Sequence, residues 1–231
     1  MKIENAIILA AGRGTRIMPI SKGIPKPMIK INGQSLIERG IINVKKKIKN
    51  LYVTVGYKSV KLSAHIITKG VTAIFNTEGK GNSWWLYNSL ITNLDKPLLV
   101  LTCDNLFKLN YSFIISEYLR LKSPACLIFP VNPVKNCEGD FIFAKNNKVN
   151  FLRRNKKSNL YASGIQVINP KKINKLTSPT NSFNKVWKQL IKKNKLFVSN
   201  VYPGRWFAID NLDNLREMKK NKSLKNYFFK K

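Results

Sequence analysis

The stretch Ala6-Ile7-Ile8-Leu9-Ala10-Ala11-Gly12-Arg13-Gly14-Thr15-Arg16, with Pro25-Lys26-Pro27 shortly after it, decides how this chain is read. Its apolar start is a run of the kind that forms a buried strand. A strand that opens into a glycine-rich turn presents backbone N–H groups in a concave loop, and such a loop holds phosphate oxygens. Arg13, Arg16 and Lys26 bring positive charge to the same place. Strand, glycine turn and cations together point to a nucleoside triphosphate site. The plain alternative is a tight turn with solvated arginines. A Walker loop requires G-x-x-x-x-G-K-[ST], which the sequence lacks, and a dinucleotide fingerprint requires a glycine where Ile17 stands.

Outward from this stretch, apolar runs alternate with helical ones. Residues 6–11 lead to a helix at 35–49, 51–55 to one at 59–67, 71–75 to one at 83–93, and 98–103 to one at 111–121. Residues 125–131 form a fifth apolar run. Successive strand–helix units predict an α/β fold, with a mostly parallel central sheet covered by helices on both faces. Ligands of such sheets bind at the carboxyl ends of the strands. That edge would gather residues 12–16, 76–81 and Asp104.

Beyond Val131 the pattern turns antiparallel. Residues 141–143 and 149–152 alternate around Asn146-Asn147 as a hairpin. Val167 and Ile168 belong to a strand ended by Asn169-Pro170; 181–193 reads as helix, 196–201 as strand and 211–220 as a last helix. With no repeat and no linker, a single domain over 1–231 is expected. Its parts are a nucleotide-binding part (1–131), an acceptor-binding part (132–218) and a basic tail (219–231). Leu224, Tyr227, Phe228 and Phe229 are the tail residues able to dock.

A chain of 231 residues is long enough for one good core. No apolar run approaches the roughly 20 residues that span a bilayer, and no signal-peptide stretch precedes the first strand. A cytoplasmic location without membrane insertion is therefore expected. Cys103, Cys126 and Cys137 show no C-x-x-C spacing, which speaks against a disulfide framework or zinc site. The one histidine, His65, is placed on a helix surface or core edge. The net charge of +31 comes from lysines spread along the whole chain, alongside abundant Asn and Ile. These residues share A/T-rich codons, so compositional bias explains the charge without a specific nucleic-acid partner. The charge still attracts anionic substrates, and nucleic acid nonspecifically at low salt. Arg153-Arg154-Asn155-Lys156-Lys157 reads as a solvated loop.

The string L-A-A-G-x-G-T-R, then Pro25-Lys26-Pro27-Met28, the turn Asn32-Gly33 and a helix from Ser35, resembles the start of the sugar-phosphate nucleotidylyltransferases. The resemblance implies a nucleotide-diphospho-sugar transferase type of Rossmann-like fold. It places the nucleotide against Leu9, Ala10, Ala11, Gly12, Arg13, Gly14, Thr15 and Arg16, and against Glu78, Gly81 and Asn82 after the third strand. Arg13 and Arg16 would hold the β- and γ-phosphates, and Lys26 the reacting phosphates. Asn82 or Ser83 would read the base edge or cap the helix, and Trp84, Trp85, Leu86 and Leu90 would pack the core. Asp104-Asn105-Leu106-Phe107 resembles the segment carrying a metal-binding Asp. Residues 206–215 resemble the closing segment with a second such acid, for which Asp210 stands, with a competing role as helix cap. Arg16, Lys26 and Asp104 are thus the catalytic candidates, and Asp104 and Asp210 the ligands of Mg²⁺. On the acceptor side the resemblance points to Glu138, Arg154, Ser163 and Gly164. The family often has Glu-Lys before that strand, whereas this chain has Arg153-Arg154, so the acceptor is less defined than the nucleotide.

The implied reaction joins a nucleoside triphosphate to a sugar 1-phosphate, giving an NDP-sugar and pyrophosphate, for surface polysaccharide or envelope synthesis. The alternatives are a cytidylyltransferase for phosphocholine or a related phosphomonoester, a catalytically silent nucleotide-binding or regulatory protein, and a charge-driven RNA-binding module. A homo-oligomer is compatible with the sequence.

Overall fold

A computed structural model of the chain describes residues 1–17, 23–134 and 139–229; Lys22, Cys137 and Glu138 lie outside them. In chain order the elements are β1 (Asn5–Leu9), β2 (Lys30–Ile31), β3 (Gln34–Ser35), α1 (Leu36–Lys45), β4 (Asn50–Val55), α2 (Ser59–Ile66), β5 (Ala73–Asn76), α3 (Trp84–Tyr87), β6 (Leu98–Thr102), β7 (Asn105–Phe107), α4 (Tyr111–Arg120) and β8 (Cys126–Val131). The second half adds β9 (Phe141–Lys145), β10 (Lys148–Arg153), β11 (Tyr161–Ile168), α5 (Pro170–Leu176), α6 (Phe183–Lys192), β12 (Leu196–Val198), β13 (Trp206–Ala208), α7 (Leu212–Lys220) and α8 (Lys222–Phe229).

One sheet carries the fold, in the order β5-β4-β1-β6-β11-β8-β12-β10-β9. β5, β4, β1 and β6 pair in parallel, as do β8 and β12. β11 inserts antiparallel between β6 and β8. The expected mostly parallel sheet with antiparallel additions is therefore present, with a late strand separating the fourth and fifth apolar runs. Burial on both faces explains why these strands are continuous apolar runs. On one face Ile8, Val53, Leu101 and Phe129 pack under α1, α2 and α4. On the other, Ile7, Val100 and Ile128 pack under α3, α5 and α6.

Local chemistry fixes the boundaries. The β9–β10 hairpin turns at Asn146 and Asn147, with φ of 51° and 60°, the left-handed pair that a type I′ turn demands and Asn tolerates. Its sheet face stacks Phe143 on Phe151, and Lys156 and Arg153 lie over those rings, so the basic cluster is partly seated on aromatic surface. The helix expected at 83–93 is shorter, ending at Tyr87. Beyond it, Ser89 and Thr92 exchange side-chain and backbone bonds, a local alternative that competes with helix. Leu90, expected in the core, is 71% exposed in that turn.

α1 opens with a capping box: Ser35 Oγ accepts from Glu38 N at 3.2 Å, and Glu38 Oε2 accepts from Ser35 N at 2.9 Å. His65, half-buried at the end of α2, sits with Nε2 3.0 Å from Ser35 Oγ. Ser35→Ala removes both contacts of a fully buried hydroxyl. We expect a loss of about 1–2 kcal/mol, a fall of several degrees in Tm by thermal unfolding.

The segment expected as a basic tail is docked: Phe228 and Phe229 of α8 are buried in a third apolar cluster with Ile17, Leu36, Leu106 and Ile209. Arg39 fastens it. Its guanidinium lies over both rings, donates through Nε to Phe228 O at 2.9 Å and also bonds Phe107 O. Burial pulls this guanidinium down to about 10. Among the described residues no helix is long and apolar enough to cross a membrane.

Candidate active site

A cleft of about 330 Å³ opens at the carboxyl ends of β1, β4, β5 and β6. Leu9, Ala10, Ala11, Gly12, Gly14, Thr15, Arg16, Lys26, Gly81, Asn82, Asp104 and Asp210 all line it. The strand-end rule and the glycine loop therefore gather most of the expected residues in one place.

Each is held by identifiable contacts. β1 delivers the loop, and Ala10 N donates to Thr54 O at 3.1 Å, fixing the loop to β4. Gly14 has φ +66°, and a Cβ there would stand 2.7 Å from Lys26 Cβ, so only glycine lets the loop close over that lysine. Lys26 begins a single 3₁₀ turn between Pro25 and Pro27, rings that limit the backbone freedom lost when the lysine engages. Although 7% exposed, Lys26 is paired: its Nζ donates to Asp104 Oδ2 at 2.6 Å.

Asp104 lies in the turn between β6 and β7. Cys103 N donates to Leu9 O, and Ile209 N donates to Asp104 O at 3.0 Å. β7 pairs with β13, Asn105 opposite Ala208, and this ladder brings the two distant acids to one cleft. Arg16 Nη2 stands 3.8 Å from Asp210 Oδ1. The capping role weighed for Asp210 belongs to Asn211, whose side chain accepts from Asn214 N at 2.9 Å. Burial pushes the Cys103 thiol beside this turn well above its ordinary range.

Other expected residues sit elsewhere. Arg13 is exposed and its guanidinium lies over the Tyr57 ring, away from the cleft wall. Glu78 is exposed beyond the wall, its N–H bonded to Asn76 Oδ1. Arg154 pairs with Asp140 at 3.4 Å with its side chain 68% exposed. Ser163 is committed to the sheet: Oγ donates to Phe129 O and accepts from Ile165 N, while its carbonyl accepts from Asn105 Nδ2 and Trp206 Nε1. Gly164, with φ +76°, is where β11 bulges against the Asp104 turn, and a Cβ would collide with Asn105 and Thr102.

The cleft also uses Thr54, Trp85 and Thr102, which are absent from the expected contacts, together with Thr77 and Lys80 of the expected edge segment 76–81. Thr54 and Thr102 close apolar strands and Thr77 follows one, a signal visible in the sequence. Trp85 packs the core, as expected, yet also reaches the wall. Two carboxylates facing two cations beside a glycine loop form a site for polyphosphate. They can also offer oxygen ligands to a divalent ion, although no group of three metal-ligating side chains occurs among the described residues.

Comparison with known proteins gives the family and the fold. Residues 5–139 match the model of the family described as nucleotidyl transferase. The bifunctional protein GlmU of Methanococcus aeolicus is 28% identical over 167 residues, which is 70% of this chain and 39% of the relative. The chain thus spans well under half the length of that relative. The CTP:phosphocholine cytidylyltransferase of Streptococcus pneumoniae superposes with a TM-score of 0.75 at 24% identity, covering 95% of this chain and 99% of that one. A putative glucose-1-phosphate thymidylyltransferase of Bacillus anthracis superposes at 0.78 with 17% identity, covering 98% and 97%. At these identities the two structures speak for the fold.

Proposed function

The chain belongs to the nucleotidyl transferase family, and from that premise we propose that it transfers a nucleoside monophosphate from an NTP to a sugar 1-phosphate. The products are an NDP-sugar, for surface-polysaccharide or envelope assembly, and pyrophosphate. The observation that carries this reading is the single cleft in which the glycine loop, Arg16, the Lys26–Asp104 pair and Asp210 converge.

The acceptor phosphate oxygen is already anionic, so it attacks the α-phosphorus in line as the bond to pyrophosphate breaks, with no proton to move. The work left to the protein is positioning and charge neutralisation. Loop N–H groups and Arg16 take the β- and γ-phosphates. Lys26 stands at the α-phosphoryl group and offsets the charge that builds there. Arg13, turned toward Tyr57, has no part in this assignment. Asp104 and Asp210 form an oxygen-only pair, which suits Mg²⁺ because that ion keeps several waters and needs few protein ligands. When bound, the ion neutralises the triphosphate.

The likeness to a phosphocholine cytidylyltransferase over 95% of this chain favours a second acceptor class, phosphocholine or a related phosphomonoester with CTP. Pyrophosphate release with Mg²⁺, crossing UTP, CTP, dTTP, GTP and ATP with sugar 1-phosphates and phosphocholine, tests both. We expect turnover with one base and one acceptor class. Silence across the panel with triphosphate binding intact overturns the reaction.

A further inference from the structure

A chamber of about 60 Å³ opens off the cleft and shares Leu9, Asn82 and Thr102 with it. The cleft lies over β5, β4, β1 and β6, whereas the chamber is offset along the sheet toward β11, β8 and α6. A nucleotide laid in the cleft leaves that side to the second substrate. The chamber is several times smaller than the cleft, about 60 Å³ against about 330 Å³, and suits a substituent of the second substrate.

Gln166 is the polar group of its floor. It is 6% exposed and lies on β11 opposite Val100 and Ile128. Trp187 Nε1 meets Gln166 Oε1 at 3.1 Å, and the Cys126 thiol donates to the same oxygen at 3.5 Å. An indole N–H only donates, so the atom it meets must be the amide oxygen, and the orientation of the amide follows. Nε2 then has no protein partner among the described residues, a costly state for a buried donor that a ligand or water relieves. Asn82 is oriented in the same way: Phe183 N donates to its Oδ1 at 2.9 Å, leaving Nδ2 for the cleft and chamber. Apart from Thr102, whose hydroxyl accepts from Asn105 Nδ2, the remaining walls are apolar and aromatic, and none of the lining residues is acidic.

We propose that Gln166, with Asn82, is a specificity-determining residue for the acceptor: the chamber takes a small uncharged substituent bearing a carbonyl or hydroxyl oxygen and rejects a cationic one. This rests on the nucleotidyl-transfer reading for the identity of the second substrate. N–H donors without a neighbouring carboxylate match an acceptor oxygen and oppose an ammonium group.

The test is calorimetric binding of glucose 1-phosphate, N-acetylglucosamine 1-phosphate, glucosamine 1-phosphate and phosphocholine, with Mg²⁺ and a non-hydrolysable triphosphate. Wild type, Gln166→Leu and Gln166→Glu are compared, with a thermal melt of each. The expected result is that a neutral sugar phosphate binds at least about tenfold more tightly than either cationic probe. Gln166→Leu raises its Kd about tenfold and leaves triphosphate affinity unchanged. Gln166→Glu keeps an oxygen for Trp187 and shifts preference toward the cationic probes, so it reads the site even where Gln166→Leu unfolds. Preference for a cationic probe in wild type overturns the proposal, as does unchanged acceptor binding in both variants, a change in triphosphate affinity instead, or no binding of any probe. Probes that bind in the expected pattern, yet release no pyrophosphate when hydrolysable NTPs replace the analogue, sink the reaction and keep the chamber's role.

Discussion

Asp104→Asn is expected to lower turnover by roughly 10²–10³, the scale of losing one preorganised charge partner in an active site. The substitution is nearly isosteric, and the bond from Ile209 N to the Asp104 carbonyl does not involve the side chain. The β7–β13 ladder should therefore persist, and the loss should be chemical. Two effects combine. The Lys26 ammonium, 7% exposed and 2.6 Å from Asp104 Oδ2, loses the anion that offsets its burial, and removing one partner of such a pair is strongly unfavourable. The cleft also loses one of the two carboxylates proposed for the divalent ion, so the Mg²⁺ concentration for half-maximal rate should rise. Steady-state pyrophosphate release as a function of Mg²⁺ reads both. A near-normal rate with unchanged Mg²⁺ dependence removes Asp104 from the mechanism.

Why Asp104 was visible in the sequence while its partner geometry was not is a matter of range. Asp104 follows the apolar run of β6 directly, and strand ends in a parallel sheet are ligand edges, so position alone implicates it. The same logic marks the loop after β1. The ion pair Lys26–Asp104 joins residues far apart in sequence, and no local pattern predicts it. β11 illustrates the limit more sharply. Its residues look like an antiparallel addition to the second half, yet it pairs between β6 and β8 and brings Gly164 against the Asp104 turn. Insertion of a late strand into an early sheet leaves no periodic trace. Arg13 and Arg16 stand three residues apart in one loop, and their identity does not tell which one faces the cleft. The loop's path turns Arg13 onto Tyr57 and Arg16 toward Asp210. Gln166 was hidden for a further reason. A lone amide in an apolar strand reads as a satisfied core polar group, and only its contact with Trp187 shows that half of it is unused.

Gly14→Val should be the most damaging change in the loop, lowering triphosphate affinity by at least about tenfold and turnover by about 10². The backbone at Gly14 is left-handed, with φ +66°, a conformation that costs a side-chain-bearing residue roughly 1–2 kcal/mol and a β-branched one more. The added Cβ also meets Lys26 Cβ at 2.7 Å, so relief of the clash moves the lysine that the mechanism needs. Gly12 separates these protein effects from those of a ligand, because a Cβ at Gly12 meets nothing within 4 Å and its φ is not in the left-handed region. Gly12→Ala should therefore leave Tm unchanged and still weaken triphosphate binding, because only the phosphates occupy the space the methyl enters. Gly14→Val should lower both Tm and affinity. Calorimetric titration of a non-hydrolysable triphosphate, with a thermal melt of each variant, distinguishes the two. If Gly14→Val binds triphosphate as wild type does, the loop is not the phosphate site. If Gly12→Ala does so while Gly14→Val fails, the loop acts only by seating Lys26, and the phosphates lie further toward Arg16.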